Sequence, residues 1–184
     1  ASGIPIVETG AKFGGKIFTH AALFSAAARA IDVGAVKRRL LVVPGGGRFV
    51  DTIRAADRRL QLSDDVAHWL AVSAMDQTAR LVAGRMLEGA VVTSFDEIVD
   101  VIDAGQIPVL APSRCLLEAD PLPHTWDVSS DSIAAWVAGS VGARHLILIK
   151  PPGVGYYSRE ALEMAGLDKW AGLSGNGSLV DAYF

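Results

Sequence analysis

The sequence of 184 residues has few features that would place it in a membrane, a disulfide framework or a nucleic-acid complex. Its one cysteine, Cys115, excludes an intrachain disulfide and fits a reducing cytosol. No apolar run reaches the ~18 residues of a membrane span, and the N-terminal ASGIPIVETG lacks the regions of a signal peptide. The net charge of −3 carries no long basic run. We therefore expect a cytoplasmic protein that binds neither membrane nor nucleic acid.

The composition is that of an ordinary globular protein, with 51% hydrophobic and 20% charged residues. The length suits a single domain over residues 1–184, and no repeat, low-complexity segment or linker interrupts it. Neither a Cys/His metal spacing nor a Ser–His–Asp order stands out. The sequence therefore predicts no zinc site, no metal-ligating residue and no covalent nucleophile.

Short apolar runs alternate with stretches of helical periodicity along the chain. The predicted strands are 4–8, 39–44, 90–94, 107–113 and 145–150, and the predicted helices are 17–32, 47–60, 63–86, 95–105 and 129–143. Ser63 is placed to cap the third helix. Because the strands are apolar on both faces, we predict a mainly parallel sheet covered on both sides, an α/β three-layer α/β/α sandwich.

Three consecutive glycines stand between the second predicted strand and the helix after it, in VVPGGGRFVD (42–51). A strand needs side chains to pack, and each interior helix glycine costs up to ~1 kcal/mol. Gly45, Gly46 and Gly47 therefore indicate either a tight turn or a backbone that approaches an anion at a helix N-terminus. No G-K-[ST] or G-x-G-x-x-G pattern follows, so neither a P-loop nor a dinucleotide fingerprint is present.

Two further strand ends carry glycine and lysine, in TGAKFGG after strand 4–8 and KPPGVGYY after the last predicted strand. Ligands of open parallel sheets bind at the carboxyl ends of the strands. Lys150 ends a buried strand, where its ammonium group must reach either solvent or an anion. Glycine loops and lysines at one edge of the sheet suit a phosphorylated ligand.

The segment HTWDVSSDSIAAWVA (124–138) begins a helix with polar residues. Ser129 and Ser130 can cap that helix, and Asp131 then lies in its first turn, as is common for acidic residues. The same carboxylate could instead orient a lysine or a magnesium ion.

The third predicted helix carries His68, Trp69 and Asp76. Core packing is favoured for Trp69, and a solvated face is favoured for Asp76 over binding of a cationic ligand.

Together these blocks resemble the amino acid kinase family, over residues from about 4 to the end. VSSDSIAA is similar to the T-D-S-A-A helix start of its uridylate kinase branch, and IKPPGV to its T-K-V-D-G-V loop. VVPGGGRF, AHWLAVSAMD, LPHTWDVSSDSIA and SLVDAYF resemble a branch that phosphorylates a furan monophosphate in methanofuran biosynthesis. The resemblance implies a phosphotransferase that uses ATP and Mg²⁺ on a small phosphorylated acceptor.

The resemblance also implies roles for individual residues. Asp131 would organise the lysines and phosphates, with Lys12 and Lys150 as catalytic cations. The acceptor would lie on Gly45, Gly46, Gly47, Ser129 and Ser130. The nucleotide side would be lined by Lys150, Gly153 and Tyr156, and Gly10 would lie under the transferred phosphate.

Some positions depart from the family pattern. The family's first strand ends V-K-x-G-G-S, and we align Glu8 with its lysine and Ala11 with its second glycine. Pro152 stands where the family has Asp, and the sequence ends near VDAYF, which implies a C-terminally short fold. Lys12 or Lys16 would then replace the missing lysine, and Lys12 is favoured because we place it in the loop after the strand.

These departures leave an alternative of another class, a catalytically degenerate family member that binds a phosphorylated ligand or a partner subunit. We also predict a homo-oligomer, because apolar residues occupy nearly all faces of 17–30 and 66–83 and the resemblance implies the same.

Overall fold

The computed structural model of the protein describes residues 7–150, except for the side chains of residues 16 and 19. Along this part of the chain, each strand is followed by one or two helices before the next strand begins. The elements are β1 (Thr9–Phe13), α1 (Ala21–Ala35), β2 (Leu40–Pro44), α2 (Gly47–Leu60), α3 (Asp64–Ala83), β3 (Gly89–Val92), α4 (Glu97–Asp103), β4 (Ile107–Leu110), α5 (Ser113–Ala119), α6 (Ser130–Ser140) and β5 (His145–Ile149). A 3₁₀ turn, Gly15–Thr19, follows β1. No helix within the described residues is long and apolar enough to cross a bilayer.

The strands form one parallel sheet in the order β3-β4-β2-β1-β5. The N-terminal strand β1 lies inside the sheet, where Thr9 is opposite Leu40 of β2 and His145 of β5. The carboxyl ends of β1, β2 and β5 are therefore neighbours. The loops that follow β1 and β2 and the residue that follows β5, Lys150, therefore meet at one edge of the sheet.

Helices cover both faces of the sheet. Leu40 and Val42 of β2 pack on one face with side chains of α1 and α3, whereas Leu41 and Val43 pack on the other with side chains of α3, α4, α5 and α6. This alternation follows from the two-residue period of a strand. The predicted α/β three-layer sandwich is confirmed.

Several predicted boundaries are confirmed where local signals set them. Helix α2 has the predicted bounds, and β2 begins one residue after its predicted start. Ser63 caps α3, since its hydroxyl accepts the N–H of Val66 at 3.4 Å. Gly105, at φ +78°, follows the end of α4 in the left-handed region that favours glycine.

The prediction for the first strand was wrong. Residues 4–6 lie outside the described residues, Val7 and Glu8 precede β1, and the strand is Thr9–Phe13, which we had predicted as a loop. All five residues of TGAKF are buried in register with strands on both sides. Glycine and lysine carry no local strand signal, so the tertiary environment determines this strand.

Two helical predictions also need correction. Helix α1 begins at Ala21, after the 3₁₀ turn, and not at residue 17. The short helix α5 was not predicted at all. Its first N–H, from Ser113, is bound at 3.1 Å by Asp76 Oδ1 of α3, and the Ser113 hydroxyl donates to Asp76 Oδ2. Asp76 therefore joins α3 to the start of α5. The prediction that Asp76 lies on a solvated face is corrected, and so is the alternative that it binds a ligand.

Candidate active site

A cleft of about 630 Å³ opens at the carboxyl ends of β1, β2 and β5. This is the edge of a parallel sheet at which ligands bind. Its floor is built by the loops after β1 and β2, by Lys150 directly after β5, and by the start of α6. The lining there includes Lys12, Gly14, Gly15, Gly46, Gly47, Ser129, Ser130, Asp131 and Lys150.

The glycines allow three backbone segments to meet at the floor of this cleft. A Cβ on Gly15 would lie 2.7 Å from the nitrogen of Gly47, and one on Gly45 would lie 2.8 Å from Ser130 Oγ. A Cβ on Gly14 would lie 2.5 Å from the carbonyl oxygen of Ile149. A side chain at Gly14 or Gly15 would overlap backbone atoms, and one at Gly45 would displace the Ser130 hydroxyl, so the loops after β1 and β2 come close to each other and to α6. The first N–H groups of α2, which begins at Gly47, have no partner within the helix.

Gly46 has a separate constraint. A Cβ there would overlap Cγ2 of Val50, one turn further along α2. A bulky residue at this position would disturb the start of the helix as well as any ligand.

Asp131 lies between two lysines at the centre of the floor. Lys12 Nζ is 2.6 Å from Asp131 Oδ1, and Lys150 Nζ donates to Asp131 Oδ2. Lys12 and Asp131 are each only 4% exposed. Ser129 caps α6, and its hydroxyl accepts the N–H of Asp131 at 3.1 Å. Two ammonium groups contact this carboxylate beside a helix N-terminus, and cations in such a place are suited to an anion.

The alignment of Glu8 with the family's lysine was wrong. Lys12 lies in β1 and not in a loop, and Lys12-Phe13-Gly14-Gly15 matches the K-x-G-G of the family pattern without a gap. Glu8 precedes β1 and lines a groove at the opposite, amino edge of the sheet. The lysine that seemed to be missing is therefore present in the charged cluster. The sequence had indicated Lys12 as a replacement for that lysine in a loop, and its burial inside a strand explains why the correct alignment was not found.

Other residues singled out in the sequence have different outcomes. Gly10 lies within β1, where a Cβ would contact Leu146 Cδ1 at 3.2 Å, and it does not line the cleft. The expectation that it lies under a phosphate is corrected, because Gly14 and Gly15 occupy the strand end. Pro152, Gly153 and Tyr156 lie outside the described residues, and so does the side chain of residue 16.

The sequence analysis did not predict the residues of α2 that form the upper wall of the cleft. Arg48, Asp51 and Arg54 of α2 all line it, and their spacing of three was an available signal. Facing them is the 120–129 segment, which joins α5 to α6. Its Trp126 donates from Nε1 to Asp57 Oδ2 at 2.7 Å, and the Arg54 guanidinium lies 4.3 Å from the centroid of the Trp126 ring. The apolar part of the wall is Val50, Ala67, Ala71, Val72, Met75, Val128 and Ile133.

His124 joins the 120–129 segment to α3 through a hydrogen bond. Its Nδ1 is 2.6 Å from Asp65 Oδ1 and its Nε2 is 2.8 Å from Asp120 Oδ1. These two hydrogen bonds raise the pKa of His124 above its ordinary value. Its ring stacks on His68 with centroids 4.2 Å apart. Burial and the neighbouring His124 lower the pKa of His68, which lines the cleft.

The carboxylates that line the cleft, and so could face a magnesium ion, are Asp51, Asp64 and Asp131. No group of three or more His, Cys, Asp or Glu within residues 7–150 could hold a metal ion. The buried carboxylate of the cleft, Asp131, has both oxygens bound by ammonium groups. Mg²⁺ is usually held by one or two carboxylates together with substrate phosphates and water molecules, and not by a cage of protein ligands alone.

Residues 11–154 match the model of the amino acid kinase family, so the chain belongs to this family. The chain is 29% identical over 114 residues to the (5-(aminomethyl)furan-3-yl)methyl phosphate kinase of Methanocaldococcus jannaschii. That alignment covers 60% of this chain and 51% of the relative, so the chain spans about half the length of this curated relative.

Solved structures of uridylate kinases share the fold. The enzyme of Archaeoglobus fulgidus is 17% identical with a TM-score of 0.61, over 83% of this chain and 69% of that one. The UMP kinase of Ureaplasma parvum is 15% identical with a TM-score of 0.62, over 83% and 72%. At these identities the likeness concerns the fold alone.

Proposed function

We propose that this protein is an ATP-dependent kinase that phosphorylates a small acceptor which already carries a phosphate. The observation that carries the proposal is the cluster in which Lys12 and Lys150 both contact Asp131 at the carboxyl edge of the sheet, with Lys12 and Asp131 buried. Buried charges are expensive unless they are paired, so two lysines held at one carboxylate in a cleft point to an anionic ligand. Family membership supports a kinase, and the name of the Methanocaldococcus relative supports this type of acceptor.

The chemistry required of the protein is positioning and neutralisation of charge. ATP supplies the transferred phosphoryl group when it is bound. Lys12 and Lys150 offset the negative charge that phosphoryl transfer gathers on the phosphate oxygens. Asp131 holds the two ammonium groups in place, and the N-terminus of α6 adds its own positive end. An oxygen of the acceptor's phosphate would bond to the terminal phosphorus of ATP as the bond to the bridging oxygen breaks and ADP leaves, so no covalent intermediate with the protein is needed.

The acceptor that we propose is (5-(aminomethyl)furan-3-yl)methyl phosphate, of the one-carbon cofactor pathway that makes methanofuran. Its phosphate would lie at Gly46 and Gly47, beside the start of α2 and Arg48. A small ring would lie on the apolar wall, which Val72 and Met75 help to form. Product formation would add a second phosphate to the first.

A catalytically degenerate family member was the alternative. The expectation rested first on Glu8 in place of a lysine, and the presence of Lys12 in the cluster removes that reason. The substitution at Pro152 lies outside the described residues. No observation within residues 7–150 favours the alternative.

The test is an assay of phosphoryl transfer on the purified chain. The protein is incubated with ATP, Mg²⁺ and the furan monophosphate, and formation of the diphosphate is followed by phosphorus NMR. Calorimetric titration with ATP and Mg²⁺ accompanies the assay. We expect binding and turnover. Binding of ATP without transfer would contradict the proposal and return the degenerate alternative.

A further inference from the structure

One face of α2 presents three charged side chains to the cleft. Arg48, Asp51 and Arg54 are three residues apart, which places them on the same side of a helix with 3.6 residues per turn. The helix begins at Gly47, so Asp51 lies about 6 Å further along the axis at 1.5 Å per residue. The glycine loop is the segment 45–47, from the end of β2 into the start of α2. A small molecule whose phosphate lies at this loop is thus within reach of Asp51.

The two arginines each have a role that the site explains. Arg54 stacks on the Trp126 ring. Arg48 is the second residue of α2 and lies beside the glycine loop, where a cation suits an acceptor phosphate.

Asp51 has no such explanation. It lies in the second turn of α2, beyond the first turn in which a helix N-terminus attracts a carboxylate. It is exposed, and no ion pair or hydrogen bond joins its side chain to another group in residues 7–150. In a cleft whose floor attracts anions, this carboxylate repels a phosphate. Toward a ligand that also carries positive charge, the same carboxylate is favourable.

We infer that Asp51 binds an ammonium group of the acceptor, so that the site selects phosphorylated amines over phosphorylated molecules without an amine. The inference rests on the proposed function and assigns its specificity to one residue. Asp64 also lines the cleft, but it lies in the first turn of α3 behind the cap Ser63, so the helix N-terminus accounts for it.

The experiment compares two acceptors on three proteins. The acceptors are the aminomethyl furan phosphate and an analogue with a methyl group in place of the aminomethyl group. The proteins are the wild type, Asp51→Asn and the matched control Asp64→Asn, which removes the same charge from the same cleft. Asparagine keeps the shape of the exposed side chain at both positions, and unfolding in urea verifies that each variant folds.

We expect the wild type to prefer the amine by tenfold or more in kcat/KM, a difference of ~1.4 kcal/mol. Asp51→Asn should lose most of that preference through a higher KM for the amine, with little change for the analogue. Asp64→Asn should keep the preference. A preference that survives in Asp51→Asn, or that is absent from the wild type, overturns the inference and leaves the kinase intact.

Absence of transfer to either acceptor would overturn the proposed function instead. The inference is then tested by calorimetric titration of the same two compounds. Tighter binding of the amine that Asp51→Asn abolishes supports it, and equal dissociation constants for the two compounds overturn it.

Discussion

Asp131 is buried between two ammonium groups, and this environment determines the effect of its replacement. Asp131→Asn would remove the carboxylate that both Lys12 and Lys150 contact. Because removal of one partner strands buried charge, we expect a loss of about 3 kcal/mol in the free energy of unfolding. This differs from the sequence view of Asp131 as a capping residue of small energetic weight. Urea denaturation measures the loss.

Added phosphate should recover part of that stability in Asp131→Asn, since an anion replaces the missing charge. The exposed neighbour Asp127 supplies the control, because Asp127→Asn should leave the urea midpoint unchanged. If both variants unfold at the wild-type midpoint, the cluster does not contribute to stability as described.

Lys12 and Glu8 provide a contrast between the two edges of the sheet. Lys12→Met should lower kcat by about a hundredfold or more, the effect typical of losing one group that stabilises a transition state. Glu8→Gln should leave kcat within about twofold, because Glu8 lies at the amino edge, away from the cleft. Steady-state kinetics of phosphoryl transfer measures both. A comparable loss in the two variants would contradict the placement of the cleft.

Part of the charged cluster could be predicted from the sequence. Asp131 and Lys150 follow local signals, a serine-capped helix start and the end of an apolar strand. The contact between Lys12 and Asp131 joins residues far apart in the chain, and no local pattern encodes it. Asp51 was missed for another reason. Its charge fits any exposed helix face, and only the position of α2 beside the glycine loop turns it toward the cleft.

At the scale of elements, local chemistry explains which predictions succeeded. The bounds of α2 follow from a glycine loop before it and the polar, basic end of the helix. The prediction of strand β1 failed because its sequence contains Gly10 and Lys12, which have a low preference for strands. Its pairing with β2 and β5 overrides this local preference. Helix α5 was not predicted because the carboxylate that accepts its first N–H belongs to Asp76, on another helix.

The junction of the 120–129 segment with α3 should make stability depend on pH. The folded-state pKa of His124 is raised above the ordinary 6.5, so its stabilisation is complete below that value and is lost as pH rises through the folded pKa. The pKa of His68 is lowered, so its contribution falls as pH drops below 6.5. We therefore expect these two histidines to favour a stability maximum near pH 6.5. Urea midpoints from about pH 5 to about pH 9 test this.

His124→Gln separates the two histidines. The variant should lose the decline in stability on the alkaline side, because a neutral side chain does not titrate between Asp65 and Asp120. If the urea midpoints of wild type and variant decline equally as pH rises above neutrality, the charge of His124 does not stabilise the contact of the 120–129 segment with α3.

For the whole molecule, self-association remains a prediction. Val36 is 83% exposed and Leu87 is 84% exposed, and both line the groove at the amino edge of the sheet. Large apolar side chains grouped in this way are typical of contact surfaces. Sedimentation velocity at micromolar concentration should detect an oligomer, and Leu87→Glu should weaken it. Leu117→Glu, on the exposed side of α5, is the matched control. A monomer in the wild type would contradict the prediction.

The position of β1 between β2 and β5 has a consequence for the order in which the chain folds. Thr9 pairs with Leu40 early in the sequence and with His145 close to the end of the described residues. Contacts between such distant residues slow folding, because the intervening loop must close before they form. During synthesis β1 can join β2 soon after it emerges, but its other edge stays open until β5 is made. Lys12 lies on β1 and Lys150 directly follows β5, so the charged cluster is complete only once β5 has joined β1, and a probe of this cluster would report a late step of folding.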